Sequence, residues 1–406
     1  MAPGLFQFSR TDSLEVSFFR ICKWILRFLG FWPPDPLNRR TIIKIVINLT
    51  LLGVAVIGEI RLAWILGTRD PLQALDVICP FLTKMVTWMK LVCFLIYRKE
   101  LELILKDLFE HCKKDTKNFE KNSMIAKVSH FISKWCVVLY LNHLFTSCLF
   151  ALKPLIVWGY QYFVKEDRNI WVSLPFQAAL PYEDMTQVND KTLYTFIYCC
   201  LAHTGTVTIF GLSGVEGTFL SFCMYISVSY ECLQEDFKMT VKSHTLNNIK
   251  PMNNDVLYND LTKLIRRQQN IIEIFKRFNQ VYKFMVFFHF VFASITLGIV
   301  LVNLLLISGI SKLIYLSYAL GAGNQLFTYC YGVESVNKNC FKLTEVLYFS
   351  DWYKCNKKVK HLILFVLIKS QEGSALKVPF FSPSLKLFAS IIQTSGSYFT
   401  ILQAVL

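Results

Sequence analysis

Seven segments of this chain, near 42–66, 74–97, 131–157, 192–230, 280–307, 310–335 and 383–405, each run for about twenty or more mostly apolar residues. A helix of that length crosses a hydrocarbon core roughly 30 Å thick. The pattern predicts an all-α membrane protein with seven transmembrane helices, folded as one bundle rather than two domains. With 54% hydrophobic and only 17% charged residues, the chain is too apolar for a soluble domain. The fourth segment is the least clear, because Gly205, Gly211, Gly214, Glu216 and Gly217 interrupt it. Only Ser308 to Ser311 separates the fifth from the sixth, which predicts a tight antiparallel pair. No cleavable leader is expected, since the first long apolar run starts near Ile42.

Charge sets the orientation. The net charge of +15 could suggest nucleic acid, but the Lys and Arg lie between apolar segments and not on one face. About thirty of the 43 fall in the N-terminal segment and in the loops after spans two, four and six. The positive-inside rule then places the N-terminus in the cytosol and, after seven spans, the C-terminus outside. That is the reverse of a G-protein-coupled receptor.

Two further stretches carry structure outside the spans. Leu14 to Phe31 is amphipathic, with Arg20, Lys23 and Arg27 on one side and Phe19, Trp24, Leu26 and Phe28 elsewhere. It reads as a helix lying at the inner leaflet, or as a buried cytoplasmic helix, ended by Trp32-Pro33-Pro34. The second runs from Leu257 to Ile307, where a stripe at three- and four-residue spacing enters span five unbroken. At 1.5 Å per residue that is roughly 75 Å, so the helix must project well beyond the membrane. Residues 343–369, with Val346, Leu347, Phe349, Trp352 and Leu362 to Ile368, are the expected partner of the stripe.

Catalytic chemistry finds little support, and no cofactor or metal is implied. His111, His130, His143, His203, His244, His289 and His361 form no metal-binding motif. Cys199-Cys200, Cys223 and Cys330 lack zinc or redox spacing and read as packing residues. Gly211-Leu-Ser-Gly214-Val-Glu-Gly217 superficially resembles a phosphate loop, but it lacks the Lys-Ser/Thr ending and fits close helix packing better. Asn48-Leu-Thr50 lies within a span, so glycosylation is not expected there. Ionisable residues inside spans are costly unless paired or wetted. Glu59 and Arg61 sit near enough to the outer interface to reach it, and Lys84 lies deeper and needs a partner or a wet cavity. Lys90 and Glu216 are likewise costly unless paired or facing water.

The last segment has a periodicity of its own. Ser390, Thr394, Ser397, Ile401 and Val405 share one helical face, polar toward the cytosol and apolar at the far end. Such a face fits a wetted pore wall closed by a hydrophobic constriction, or small polar residues that simply let helices pack. One helix cannot enclose a pore, so the first reading requires several subunits. A ligand pocket is expected among spans two, three, four and six. Val77, Ile78 and Phe81, Phe145, Cys148, Leu149 and Leu152, Ile197, Tyr198 and Leu201, and Tyr315 and Tyr318 lie at similar depth. Ordinary bundle core is the competing reading.

The C-terminal run Phe380-Phe-Ser-Pro-Ser-Leu-Lys-Leu-Phe-Ala-Ser-Ile-Ile-Gln-Thr-Ser-Gly-Ser-Tyr-Phe-Thr400 closely resembles the signature of insect odorant receptors. Gly30-Phe-Trp-Pro33, Tyr329-Cys-Tyr-Gly332 and Asp351-Trp-Tyr353 agree with it. The resemblance implies a ligand-gated, non-selective cation channel, a heterotetramer with the family's shared co-receptor subunit in the plasma membrane of olfactory sensory neurons. It implies a small volatile ligand bound in the outer half of the bundle, with Tyr315 and Tyr318 as paired aromatics. It also places the pore along the last helix and the gate at Ile401 and Val405. Gustatory receptors end with a Tyr followed six residues later by Gln-Phe; here Gln403 follows Tyr398 by five and Ala404 comes next.

The expected organisation is then a cytoplasmic N-terminus with its amphipathic helix (1–41), a ligand-sensing bundle of spans one to four (42–230) and a cytoplasmic helical extension (231–279). Spans five and six (280–335), cytoplasmic anchor helices (336–379) and a pore-lining final span (380–406) complete it. A gustatory-type channel and a metabotropic seven-span receptor are the alternatives. A secondary transporter predicts internal repeats, and none is visible.

Overall fold

The computed structural model describes residues 14–116, 118–163, 174–179, 191–246, 254–307, 309–350 and 352–405. Ten α-helices account for nearly all of them: α1 (Leu14–Leu29), α2 (Arg39–Arg69), α3 (Pro71–Ile96), α4 (Arg98–Asp115), α5 (Phe119–Phe163), α6 (Lys191–Leu246), α7 (Asn254–Leu306), α8 (Ile310–Tyr348), α9 (Lys357–Gln371) and α10 (Leu385–Val405). The seven apolar segments fall in α2, α3, α5, α6, α7, α8 and α10. By length and composition alone, five of the described helices (α2, α3, α5, α6 and α7) suffice to cross a membrane. Among the others, α8 joins its span to a polar continuation ending at Tyr348, and α10 mixes Ser, Thr and Gln into 21 residues.

The glycine-rich fourth segment is the middle of α6, a continuous helix of 56 residues around which the other helices gather. Its glycines mark contacts rather than breaks. A Cβ on Gly211 would stand 2.7 Å from Thr87 of α3, one on Gly214 2.8 Å from Leu26 of α1, and one on Gly217 2.6 Å from Cys22 Sγ. Removing that atom lets three neighbours approach the α6 backbone.

That approach also fixes α1. Phe18, Phe19, Cys22, Ile25, Leu26 and Leu29 are all buried in the main core. Of the two readings of this stretch, burial fits the packed side: that face lies on α5 and α6. Among the described side chains of α1, the large apolar ones left half-exposed are Trp24 and Phe28, beside Phe210. The helix also ends before the Trp-Pro-Pro run. Gly30 takes φ +90°, and Phe31 N–H donates to Leu26 C=O at 2.8 Å, the six-to-one bond of a glycine C-cap.

At 53 residues, or about 80 Å, α7 runs unbroken from the bundle into the extension. Leu257, Leu261, Phe275 and Phe278 of its stripe are buried with Leu347 of α8 and Ile363 and Val366 of α9. Gln268 Nε2 donates to Ser370 Oγ at 2.9 Å. Below the core, four charges from four helices alternate in sign. Arg267 of α7 pairs with Asp115 of α4 and, at 2.6 Å, with Asp236 of α6, while Lys121 of α5 pairs with both carboxylates. All thirteen cysteines are free thiols.

Candidate functional site

A cavity lies among α3, α5, α6, α7 and α8, and small residues and a proline are part of its lining. Pro80 removes one backbone donor from the middle of α3. A Cβ on Gly205 or Gly321 would stand 2.9 Å from the Phe176 ring or from Asn142 Oδ1, so the bare glycines let these wall side chains seat. Phe176, from the segment following α5, lines this cavity and a neighbouring hollow. Its ring stacks on Phe150 at 5.6 Å, and Ala179 N–H donates to Gly58 C=O at 3.0 Å, tying that segment to α2. Val86, Leu212, Phe292 and Ala293 supply apolar wall, while Lys84, His143, His289, Thr296 and Gln325 bring polar groups to it. An apolar hollow with a few placed polar groups is the usual form of a small-molecule site.

The charges inside the spans are paired. Lys84 Nζ bonds Glu59 Oε1, with both side chains buried, and sits 3.8 Å from the centroid of Phe176. The expectation that Glu59 reaches the outer interface is therefore corrected: it faces α3, because Lys84 offers a counter-charge where lipid offers none. Lys90 Nζ lies 2.8 Å from Glu216 Oε1 and 3.1 Å from His289 Nδ1. Next to this group, His143 Nδ1 is 2.8 Å from Ser213 Oγ, and Gln325 Nε2 is 2.8 Å from His143 Nε2. Asn48 is buried as well, donating to Leu29 C=O and facing His203.

The residues expected to line a pocket are placed unevenly. Tyr318 lines this cavity, its ring 5.5 Å from Phe150. Val77 borders a neighbouring hollow with Phe150 and Leu174. Tyr315 is buried beside Cys79 and Val300 rather than in the wall. Leu201 is buried, and Ile197 and Tyr198 packed, in a small cluster with Ala55, Leu174 and Tyr194. Ile78, Phe81 and Leu149 are partly buried without lining the cavity, and Phe145, Cys148 and Leu152 lie exposed on the outside of α5.

On α5 the wall is formed instead by Asn142, His143, Thr146 and Ser147. These were missed because depth and apolar character were used to choose a face. In a bilayer the interior of a bundle is no more apolar than its outside, so polar residues mark the inward face.

α10 rests against α7 and α8 through Leu387, Phe388 and Ile391. Ser390, Thr394, Ser397 and Ile401 are exposed on its uncovered side, Ile401 by 58%. The side chain of Val405 lies outside the described residues.

A family model described as 7tm Odorant receptor matches residues 70–396. Odorant receptor 10a of Drosophila melanogaster is 26% identical, with all of both chains covered. Odorant receptor 22c of the same fly is 27% identical over 96% of this chain and 97% of its own. Among solved structures, the olfactory receptor OR5 of Machilis hrabei superposes with a TM-score of 0.76 at 16% identity, covering 95% of this chain and 97% of that one. The same receptor in complex with eugenol also gives 0.76, at 18% identity and covering 97% and 99%.

Proposed function

This chain belongs to the 7tm odorant receptor family and is a multi-pass membrane odorant receptor, not an enzyme, and from that premise we propose that its cavity takes a small, mostly apolar volatile whose binding opens a cation-conducting pore. The observation that carries the reading is the cavity between the helices, with Lys84, His143, His289 and Gln325 set among apolar and small hydroxyl side chains. The related receptor of Machilis hrabei is described in complex with eugenol, a ligand of that size class.

The pore belongs to an assembly in this reading. α10 leaves Ser390, Thr394, Ser397 and Ile401 exposed, and a polar stripe left uncovered by the described helices of its own subunit suits a shared conduction path. The partners are the family's co-receptor subunits in a heterotetramer, with Ile401 and Val405 at the constriction. The extension formed by α4, α7, α8 and α9 lies in the cytosol and anchors the subunits. Residues 1–41 and 231–279 lie on that same side, and the plasma membrane of olfactory neurons is the site of action. Ligand shifts the closed–open equilibrium by its differential affinity for the two states.

The test is co-expression of this chain with the co-receptor and measurement of membrane current across a panel of volatiles. Odorant-evoked cation current in voltage-clamped cells, abolished by Ala322→Phe in the cavity wall, is the expected result. An N-terminal tag labelled by antibody on intact cells would overturn the orientation.

A further inference from the structure

Two histidines stand in the cavity wall, and only one of them is fully bonded. His143 has Ser213 on Nδ1 and Gln325 on Nε2, both at 2.8 Å. His289 has Lys90 Nζ at 3.1 Å from Nδ1, while its buried Nε2 has no partner among the described residues. The ammonium of Lys90, paired with Glu216 at 2.8 Å, can only donate. His289 Nδ1 must therefore accept, and its ring proton sits on Nε2. The wall thus holds a buried N–H whose tautomer is fixed by an ion pair between α3 and α6.

We propose that His289 Nε2–H is the cavity's hydrogen-bond donor to ligand, and that it selects volatiles bearing an acceptor oxygen over hydrocarbons of the same shape. A ketone or ester oxygen meets the donor, whereas a hydrocarbon leaves it unpaired in a dry site. Asn142 Oδ1, also buried without a partner among the described residues, accepts rather than donates and so cannot itself meet a carbonyl oxygen. The inference rests on the cavity being the ligand site.

Matched pairs in which oxygen is replaced by methylene test it: acetophenone against 2-phenylpropene, and heptan-2-one against 2-methylhept-1-ene. Potency is read as current in cells expressing this chain with the co-receptor. The ketone should be roughly tenfold more potent on the unaltered chain. His289→Phe should bring the two members of a pair together, and His289→Gln, which keeps an N–H, should preserve the gap. The readout is a ratio within one variant, so expression level does not enter it. If His289→Phe fails to reach the surface, His289→Met removes the same donor with a more adaptable side chain. Equal potency on the unaltered chain, or an undiminished gap in the donor-free variant, overturns the proposal. Ala322→Phe separates the two levels of the argument. If odorant currents survive it, the cavity is not the site. If it silences them while His289→Phe keeps the gap, the site stands and the role of His289 falls.

Discussion

Lys90 and Glu216, 126 residues apart in the chain, meet at 2.8 Å with neither side chain exposed to the surroundings. The pair joins α3 to α6 at the level where α7 adds His289.

Glu216→Gln would leave a buried ammonium without its counter-charge. We expect a loss of about 3–5 kcal/mol, the usual result of breaking a buried pair from one side. The double variant Lys90→Met/Glu216→Met, which removes both charges, should recover most of it. Thermal unfolding of detergent-purified receptor measures the difference. A single variant as stable as the parent chain would show that the pair holds nothing together.

Gly217 offers a test of close packing. Gly217→Ala places a methyl 2.6 Å from Cys22 Sγ and 3.0 Å from Cys136 Sγ, and should cost about 1–3 kcal/mol through overpacking. Gly298→Ala has nothing within 4 Å of the new carbon and should be neutral or stabilising by up to about 1 kcal/mol. Comparing the two by thermal unfolding separates helix propensity from crowding.

At the end of α10, Ile401→Ser and Val405→Ser should raise basal current in cells that also express the co-receptor. Polar side chains at a dewetting constriction favour a hydrated path. Unaltered basal and evoked currents in both variants would remove these positions from the gate.

Asp115 is 2% exposed at its side chain and accepts from both Lys121 and Arg267. Asp115→Ala should destabilise the extension by about 3 kcal/mol, because it strands two cations beside Asp236 alone. Limited proteolysis should then cut α4 and the outer end of α7 before the bundle. Parent-like resistance would argue that Asp236 suffices by itself.

The helices were legible because bilayer thickness fixes the length of an apolar run, and the projection of α7 because its stripe outlasts that length. The cap at Gly30 was readable in principle, since a glycine two residues before Trp-Pro-Pro is a C-terminal signal. What the residues did not reveal was rotation. Nothing local says that Lys90 faces Glu216, or that Phe145 faces outward while His143 faces inward. Those facts depend on which helices become neighbours. Lipid, unlike water, does not label the outer face by polarity. Of the expected pocket set Tyr318 lines the cavity, while the small and polar residues beside it carry the wall.

The continuity of α7 has a mechanical consequence. Its far end at Asn254 lies about 50 Å from His289, at 1.5 Å per residue. A stiff rod of that length acts as a lever. A tilt of about 5° at the cavity wall sweeps its outer end through about 4 Å, more than enough to break one set of side-chain contacts and make another. A displacement of α7 beside His289 would therefore be larger where the helix reaches the extension.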